Sequence, residues 1–340
     1  MTTVDPVAAL RRIAYLLERN GAESFKVRAF RNSATSLEAV APERLSTMSA
    51  AQLQDLPHVG KTSAQVIVEA LAGETPAYLE TLEAAESPTV SEEAATLLRT
   101  LQGDCHSHSD WSDGGSPVRE MAEAARDLGH RYWALTDHSP RLTVAHGLDA
   151  ERLRQQLELV GRLNEELAPF RILTGIEVDI LEDGSLDQDD ELLAQLDVVV
   201  ASVHSKLRMD AAAMTKRMLR AVESPHTDIL GHCTGRLITG KGRPESEFDT
   251  RAVFEACAAT TTAVEINSRP ERLDPPDPML DSALSLGCVV VVDTDAHAPG
   301  QLEWQVHGCE KAARVRVPAE RIMNTLPLEA FLAWTTGHAA

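Results

Sequence analysis

The chain has 340 residues, and at roughly 100–200 residues per ordinary domain this makes two domains, or one barrel-sized domain with an appendage. Hydrophobic residues at 43% and charged residues at 25% exclude a wholly disordered chain. A net charge of −20 argues against a protein that simply coats DNA, although it leaves room for a local nucleic-acid site where metal ions supply positive charge.

Residues 1–72 hold 8 Lys and Arg against 7 Asp and Glu, while the rest hold 24 against 45. This shift in charge marks a domain boundary. The N-terminal part reads as helices over Val7–Arg19, Val27–Val40, Ala50–Asp55 and Thr62–Leu71, with Leu10, Ile13, Leu16 and Leu17 at helical spacing. Residues 73–100, with Pro76 and Pro88, read as a connector carrying one or two helices. From Leu101 short apolar runs alternate with amphipathic stretches, the rhythm of βα units in a parallel sheet. Strands are expected at Gly103–His106, Tyr132–Thr136, Ile172–Ile176, Val198–Val203, Asp228–Gly231, Ala263–Ile266 and Val289–Val292. Between them Pro117–Leu128, Ala150–Glu166, Met214–Val222, Thr250–Ala258 and Pro278–Leu286 read as helices. Such a repeat points to an α/β closed or nearly closed barrel over 101–340, preceded by a small all-α domain.

The five cysteines form no CxxC pair and no secreted framework, so a cytoplasmic protein is expected. The N-terminus lacks the apolar core of a signal peptide, and no stretch nears the roughly 20 apolar residues of a membrane span.

Six of the twelve histidines fall at or just past the end of an expected strand: His106, His108, His138, His204, His232 and His297. Asp113, Asp137, Glu177 and Asp295 fall in the same places. In a βα barrel the loops after the strands gather on one face, which holds the active site. Imidazole and carboxylate together are the donors of Zn, Mn and Fe. His106-Ser-His108 and Asp295-Ala-His297 each put two side chains on one side of an extended segment. The candidate metal ligands are His106, His108, Asp113, His138, Glu177, His204, His232, Asp295 and His297, too many for one ion. Two to three divalent ions are expected, with Glu177 bridging. Clusters of this kind activate water and neutralise charge in phosphoryl displacement.

The run Gly103-Asp-Cys-His106-Ser-His108-Ser-Asp-Trp-Ser-Asp113, with Leu135-Thr-Asp137-His138, Gly175-Ile-Glu177, Ser202-Val-His204, Gly231-His232 and Asp293-Thr-Asp295-Ala-His297, resembles the PHP (polymerase and histidinol phosphatase) family. The resemblance covers about 101–315 and implies a distorted (β/α)7 barrel, a trinuclear metal site and phosphoester hydrolysis. His232-Cys-Thr-Gly-Arg236 and Glu265-Ile-Asn267-Ser-Arg269-Pro-Glu-Arg272 are similar to the nuclease domain of bacterial family-X DNA polymerases. Arg236, Arg269 and Arg272 fall on loops where they could hold a phosphate bidentately, and Lys206 is a weaker candidate of the same kind. Glu177, Asp295 and His204 are expected to carry catalysis.

In the N-terminal domain Leu56-Pro57-His58-Val59-Gly60-Lys61 looks like a helix-hairpin-helix turn. There Gly60 would permit the tight turn and the next helix would offer amide N–H groups to a DNA phosphate. Phe25-Lys26-Val-Arg28-Ala-Phe30-Arg31 resembles the small N-terminal domain of family-X polymerases, so Lys26, Arg28, Arg31, Gly60 and Lys61 are the expected DNA contacts. Two departures matter. Only about 30 connector residues stand where the polymerase palm belongs, so no polymerisation is expected. Val66 occupies the position of the lysine that lyase-active members use.

The expected function is metal-dependent hydrolysis of DNA phosphoesters. A 3′–5′ exonuclease or 3′-end-processing enzyme is the form expected, acting in repair on single-stranded ends, nicks or gaps, with repair proteins as possible partners and no role at a membrane. A small-molecule phosphatase such as histidinol phosphatase is the alternative, and a DNA-binding scaffold without catalysis is the alternative of another class.

Overall fold

In the computed structural model, which describes residues 4–85 and 90–337, the first helix begins where the Asp5 side chain accepts the Val7 amide at 3.0 Å and Pro6 starts the turn. This helix, α1 (Pro6–Arg19), buries Leu10, Ile13, Leu16 and Leu17. Against them pack Val27, Phe30, Ala34 and Leu37 of α2 (Ser24–Glu38) and Ala64, Val66 and Ile67 of α5 (Lys61–Leu71). Between α2 and α5 lie the short α3 (Pro42–Leu45) and α4 (Ala50–Gln54), the latter held by a Ser49–Gln52 capping box. With α6 (Ala77–Glu83) these helices form one compact unit, to which 298–301 are also assigned. Of the stretch read as a connector, α6 belongs to this unit and α7 (Glu92–Thr100) to the next, while Pro88 lies outside the described residues.

The second unit is a seven-stranded parallel sheet in sequential order. Its strands are β1 (Gly103–Asp104), β2 (Tyr132–Leu135), β3 (Arg171–Asp179), β4 (Val198–Ser202), β5 (Ile229–Leu230), β6 (Ala263–Asn267) and β7 (Val290–Asp293). All are buried nearly throughout, as in sheets covered on one face by helices and filled on the other by side chains. The covering helices are α8 (Val118–Asp127), α9 (Ala150–Leu167), α10 (Asp190–Leu193), α11 (Ala211–Val222), α12 (Thr250–Thr260) and α13 (Asp277–Ser285), then α14 (Gln305–Val315) and α15 (Leu328–Thr336). Of these α10, α14 and α15 were not expected from the sequence.

Strand β1 is shorter than the expected Gly103–His106. Past Asp104 the backbone amides turn to carboxylates: Cys105 donates to Asp293 at 2.8 Å and His106 to Asp104 at 3.2 Å. The barrel nevertheless nearly closes. Ser107 bridges Ala296, and Asp295 N donates to His106 O at 2.9 Å. Lower down, the side-chain amides of Gln305 and Asn324 each donate to both Gly103 O and Val292 O, at 2.8–3.0 Å. The result is a nearly closed (β/α)7 barrel preceded by a helical region. Among the described residues no helix is long and apolar enough to cross a membrane. All five cysteines are buried and unpaired.

Candidate metal centre

All nine side chains expected as ligands meet at the end of the barrel to which the strands run. Glu177, inside β3, lies at their centre. Its Oε1 faces His106 Nε2 at 3.4 Å, His204 Nε2 at 3.1 Å and His232 Nε2 at 2.9 Å. Its Oε2 faces His108 Nε2 at 3.6 Å and His138 Nδ1 at 2.8 Å. Asp113 reaches His138 and His297, each at 3.4 Å, and His108 reaches Asp295 at 3.4 Å. The donors fall into four overlapping sets: His108, Asp113, His138 and His297; His106, Glu177 and His232; His106, His108 and Asp295; His138, Glu177 and His204. Two of these residues, His232 (φ +20°) and Asp295 (φ +54°), hold a left-handed backbone that side chains disfavour, strain of the kind stored at functional sites.

The donor set fits divalent transition metals on the evidence of its own unmet polar atoms. His106 Nε2, both ring nitrogens of His108, His138 Nδ1 and Glu177 Oε2 are buried at the centre without an aligned hydrogen bond. Buried polar atoms in proteins are otherwise almost always paired. Burial, then the neighbouring His297 and His138, hold His108 down to about 3, so its imidazole is neutral and its lone pair free to ligate. Although burial opposes ionisation, His204, His106 and His138 hold Glu177 well below the usual carboxylate range. Asp295 is held down likewise against its burial, by Arg269, His108 and Arg272.

Outside the nine, three carboxylates orient them. Glu265 accepts from His106 Nδ1 at 2.6 Å, so His106 presents Nε2 to the centre. Asp179 lies 3.4 Å from His204 Nδ1 and accepts the His204 amide at 3.2 Å. Asp137 accepts from Ser109, Ser112 and Gln156, pinning the loop that carries His108 and Asp113. Glu265 and Asp179 received no role from the sequence, although a carboxylate inside an otherwise apolar strand (Ala-Val-Glu-Ile-Asn) is the available signal, since buried charge persists only when paired.

A cleft of about 310 Å³ opens over the centre, lined by Arg269 and Arg272 among others. Arg272 Nε donates to Asp295 at 3.1 Å and its Nη1 is buried without a partner. Arg269 Nη1 donates to the Asp295 carbonyl at 2.9 Å. The other two cations expected to hold phosphate are placed elsewhere. Arg236 donates to the carbonyls of Arg272 and Leu273 and pairs with Glu245, so its guanidinium braces the loop that carries Arg272. Lys206 is exposed and is not among the residues lining the cleft.

In the helical unit Lys26, Arg28 and Lys61 are exposed. Arg31 corrects the expectation. Its guanidinium grips both carboxylate oxygens of the buried Glu18, at 2.6 and 3.0 Å, and is spent inside the unit. Gly60 is at the start of α5 as expected, but the left-handed residue of the hairpin is His58 (φ +60°), while Gly60 is extended (φ −87°, ψ 178°). A Cβ at Gly60 would meet nothing within 4 Å, so the glycine leaves open approach to the helix start. Ser33 Oγ, 2.8 Å from His58 O and 2.9 Å from Ser63 Oγ, ties that turn to α2. Val66 is buried in the core of the unit.

Comparison with known proteins agrees with this architecture. Residues 1–76 match the helix-hairpin-helix domain family and residues 104–269 the PHP domain family. The DNA polymerase/3′-5′ exonuclease PolX of Bacillus subtilis is 43% identical over 238 residues, 69% of this chain. The chain spans only 41% of that relative's length. A probable phosphatase of Syntrophotalea carbinolica is 31% identical over 169 residues, 48% of this chain and 65% of the relative. A histidinol phosphate phosphatase of Lactococcus lactis, solved with zinc, L-histidinol and phosphate, superposes with a TM-score of 0.45 at 18% identity over 63% of this chain and 92% of that one. The chain carries a PHP domain behind a helix-hairpin-helix domain.

Proposed function

We propose that this phosphoester hydrolase acts on DNA as a 3′–5′ exonuclease or 3′-end-processing enzyme in cytoplasmic DNA repair, with two to three Mn, Zn or Fe ions held by the nine residues. The observation that carries the metal-dependent chemistry is the set of unpartnered buried imidazole and carboxylate atoms around Glu177. Support for DNA comes from the helix-hairpin-helix match and the PolX relative.

Bound ions would polarise a phosphoryl oxygen and lower the pKa of a water molecule. The chain's own residues supply the rest. Glu177, the carboxylate that belongs to two of the donor sets, would help to hold two of the ions. Asp295 keeps Arg272 and Arg269 at the cleft they line, where their guanidinium groups offer charge-assisted hydrogen bonds to non-bridging phosphate oxygens. Glu265 and Asp179 hold the rings of His106 and His204 in place. Lys26, Arg28, Lys61 and the amide groups at the start of α5 take the DNA backbone, which leaves single-stranded ends, nicks and gaps as the substrates to test.

The decisive experiment assays one metal-replete sample on 5′-labelled single-stranded, nicked and gapped DNA beside histidinol phosphate. Stepwise shortening from the 3′ end is the expected result. Turnover of histidinol phosphate with intact DNA would establish the second reading, a small-molecule phosphatase, which the phosphatase relatives favour.

A further inference from the structure

The two arginines at the cleft belong to one loop, which joins β6 to α13. Its base is closed where Asn267 N donates to Asp274 O at 2.8 Å. Inside it Arg272 N and Leu273 N both donate to Arg269 O at 2.9 Å, so one tight turn carries Arg269 and Arg272. Leu273 leaves that turn with φ +42°, a left-handed backbone that side chains disfavour. Such a conformation persists only where the surroundings hold it.

Helix α14 backs this loop at both ends. Before the arginines, Gly308 faces Ser268 so closely that a Cβ there would collide with Ser268 Oγ and lie 2.7 Å from Val292 Cγ1. Three residues on, along the same face of the helix, Lys311 donates from Nζ to the Leu273 carbonyl. That carbonyl also accepts from Arg236 Nη2, so two cations converge on the residue that follows Arg272. Lys311 is fully buried. The carboxylate paired with it, Asp277 at 3.7 Å, is shared with Arg314, whose Nη2 donates to it at 3.1 Å. Burial, then the neighbouring Arg236, pull the Lys311 amine down to about 8. A lysine is almost never fully buried unless paired, because its charge is costly away from water. An aliphatic side chain would fill the same space without that cost, and what the amine adds is the bond to the carbonyl.

We infer that Lys311 is a positioning residue for phosphate binding: from α14 it fixes the Leu273 carbonyl, and through it the backbone of Arg272 at the cleft. The inference rests on the reading above of Arg272 as a phosphate contact. Lys311 is not among the residues lining the cleft, so it acts on substrate only through the loop. The anchors of Arg272 are then placed at both its ends. Asp295 takes the side chain at Nε, while Arg236 and Lys311 take the backbone on its far side. A guanidinium that drifts by about an ångström loses the alignment that a charge-assisted hydrogen bond needs.

The test titrates inorganic phosphate by calorimetry into the metal-replete full chain in four forms: wild type, Lys311→Met, Arg272→Gln and the two combined. Methionine keeps much of the buried stem and removes the amine. Lys311→Met is expected to weaken phosphate binding by about tenfold, with bound metal and far-ultraviolet circular dichroism unchanged. For a small aryl phosphate it should raise KM more than it lowers kcat. Arg272→Gln is expected to weaken phosphate binding by about 10–100-fold, the share of a charge-assisted hydrogen bond. In that background Lys311→Met should add less than about twofold, because residues that act through one another are not additive. Lys311→Gln, whose amide stops about one bond short of the carbonyl, is the second probe should the methionine variant fail to fold, and the same dependence on Arg272 is expected of it. A purely structural lysine would lower stability in urea without this coupling. Undiminished phosphate affinity in folded, metal-loaded Lys311 variants, or the same fold loss with and without Arg272, overturns the positioning role and leaves Arg272 as a phosphate contact. Undiminished affinity in Arg272→Gln overturns the phosphate contact, and the positioning role with it.

Discussion

At the scale of single residues, the centre depends on one carboxylate with five imidazoles around it. Glu177 would otherwise be an uncompensated buried charge, and the histidines would leave buried lone pairs unmet. Glu177→Ala is expected to lower bound metal below two equivalents per chain in elemental analysis and to reduce hydrolysis to background. The far-ultraviolet circular dichroism should stay unchanged, because the strands bury their own core. Glu265 acts one step further out, through His106. Glu265→Gln keeps the volume and a hydrogen-bonding group but loses the charge, and should weaken metal affinity or activity by about 10–100-fold. A titration with Mn²⁺ separates these, since excess metal restores the Glu265 variant and leaves the Glu177 variant inactive.

At the scale of elements, the seam between β7 and β1 is the distinctive feature. Asn324 and Gln305 do there what a backbone ladder does between the other strands. Asn324→Leu would leave Gly103 O and Val292 O with one donor fewer and the Val292 amide without its acceptor. A loss of about 1–3 kcal/mol in urea unfolding is expected. Gln305 is oriented in turn by His130 Nε2, 3.1 Å from its Oε1. Burial lowers His130 from 6.5 to about 4. Between those values the unfolded chain binds a proton that the folded chain does not. The histidine therefore costs nothing above about pH 6.5, and its penalty grows as the pH falls toward 4. At pH 5 that penalty is about 2 kcal/mol. His130→Gln should remove it, so the stability lost between pH 7.5 and pH 5 should be smaller in the variant by about that amount.

At the scale of the whole molecule, charge is divided unevenly between the two units. Most of the acidic excess lies in the barrel unit, where three of the nine donors are carboxylates that divalent ions would balance, and the helical unit presents Lys26, Arg28 and Lys61 to solvent. If these lysines meet phosphates, Lys26→Ala/Lys61→Ala should weaken DNA binding and lower the slope of log Kd against log salt by about 1.5, the share of two contacts. Hydrolysis of a small aryl phosphate should be untouched, because every candidate ligand lies beyond residue 100. An unaltered salt slope would remove both lysines from the interface.

Local spacing controls the features that could be read along the chain. A βα repeat places residues at strand ends, and strand ends place side chains on one face, so all nine candidate ligands could be named from their positions along the chain. The strands were legible for the same reason, since buried parallel strands are short continuous apolar runs. How distant residues divide the work depends instead on which elements pack together. Arg236, Arg269 and Arg272 are alike in sequence, all arginines on loops after strands, yet Arg236 turns to the carbonyls of Arg272 and Leu273, while Arg272 turns to Asp295 and the cleft. Arg31 and Arg28 stand three apart on α2, and only Glu18, on another helix, takes one of them out of solvent. Glu265 finds His106 across 159 residues of chain. Hydrophobic period and turn chemistry are set between neighbours in sequence, but the partner of a buried polar group is set by which elements pack together, and that is written in no local pattern.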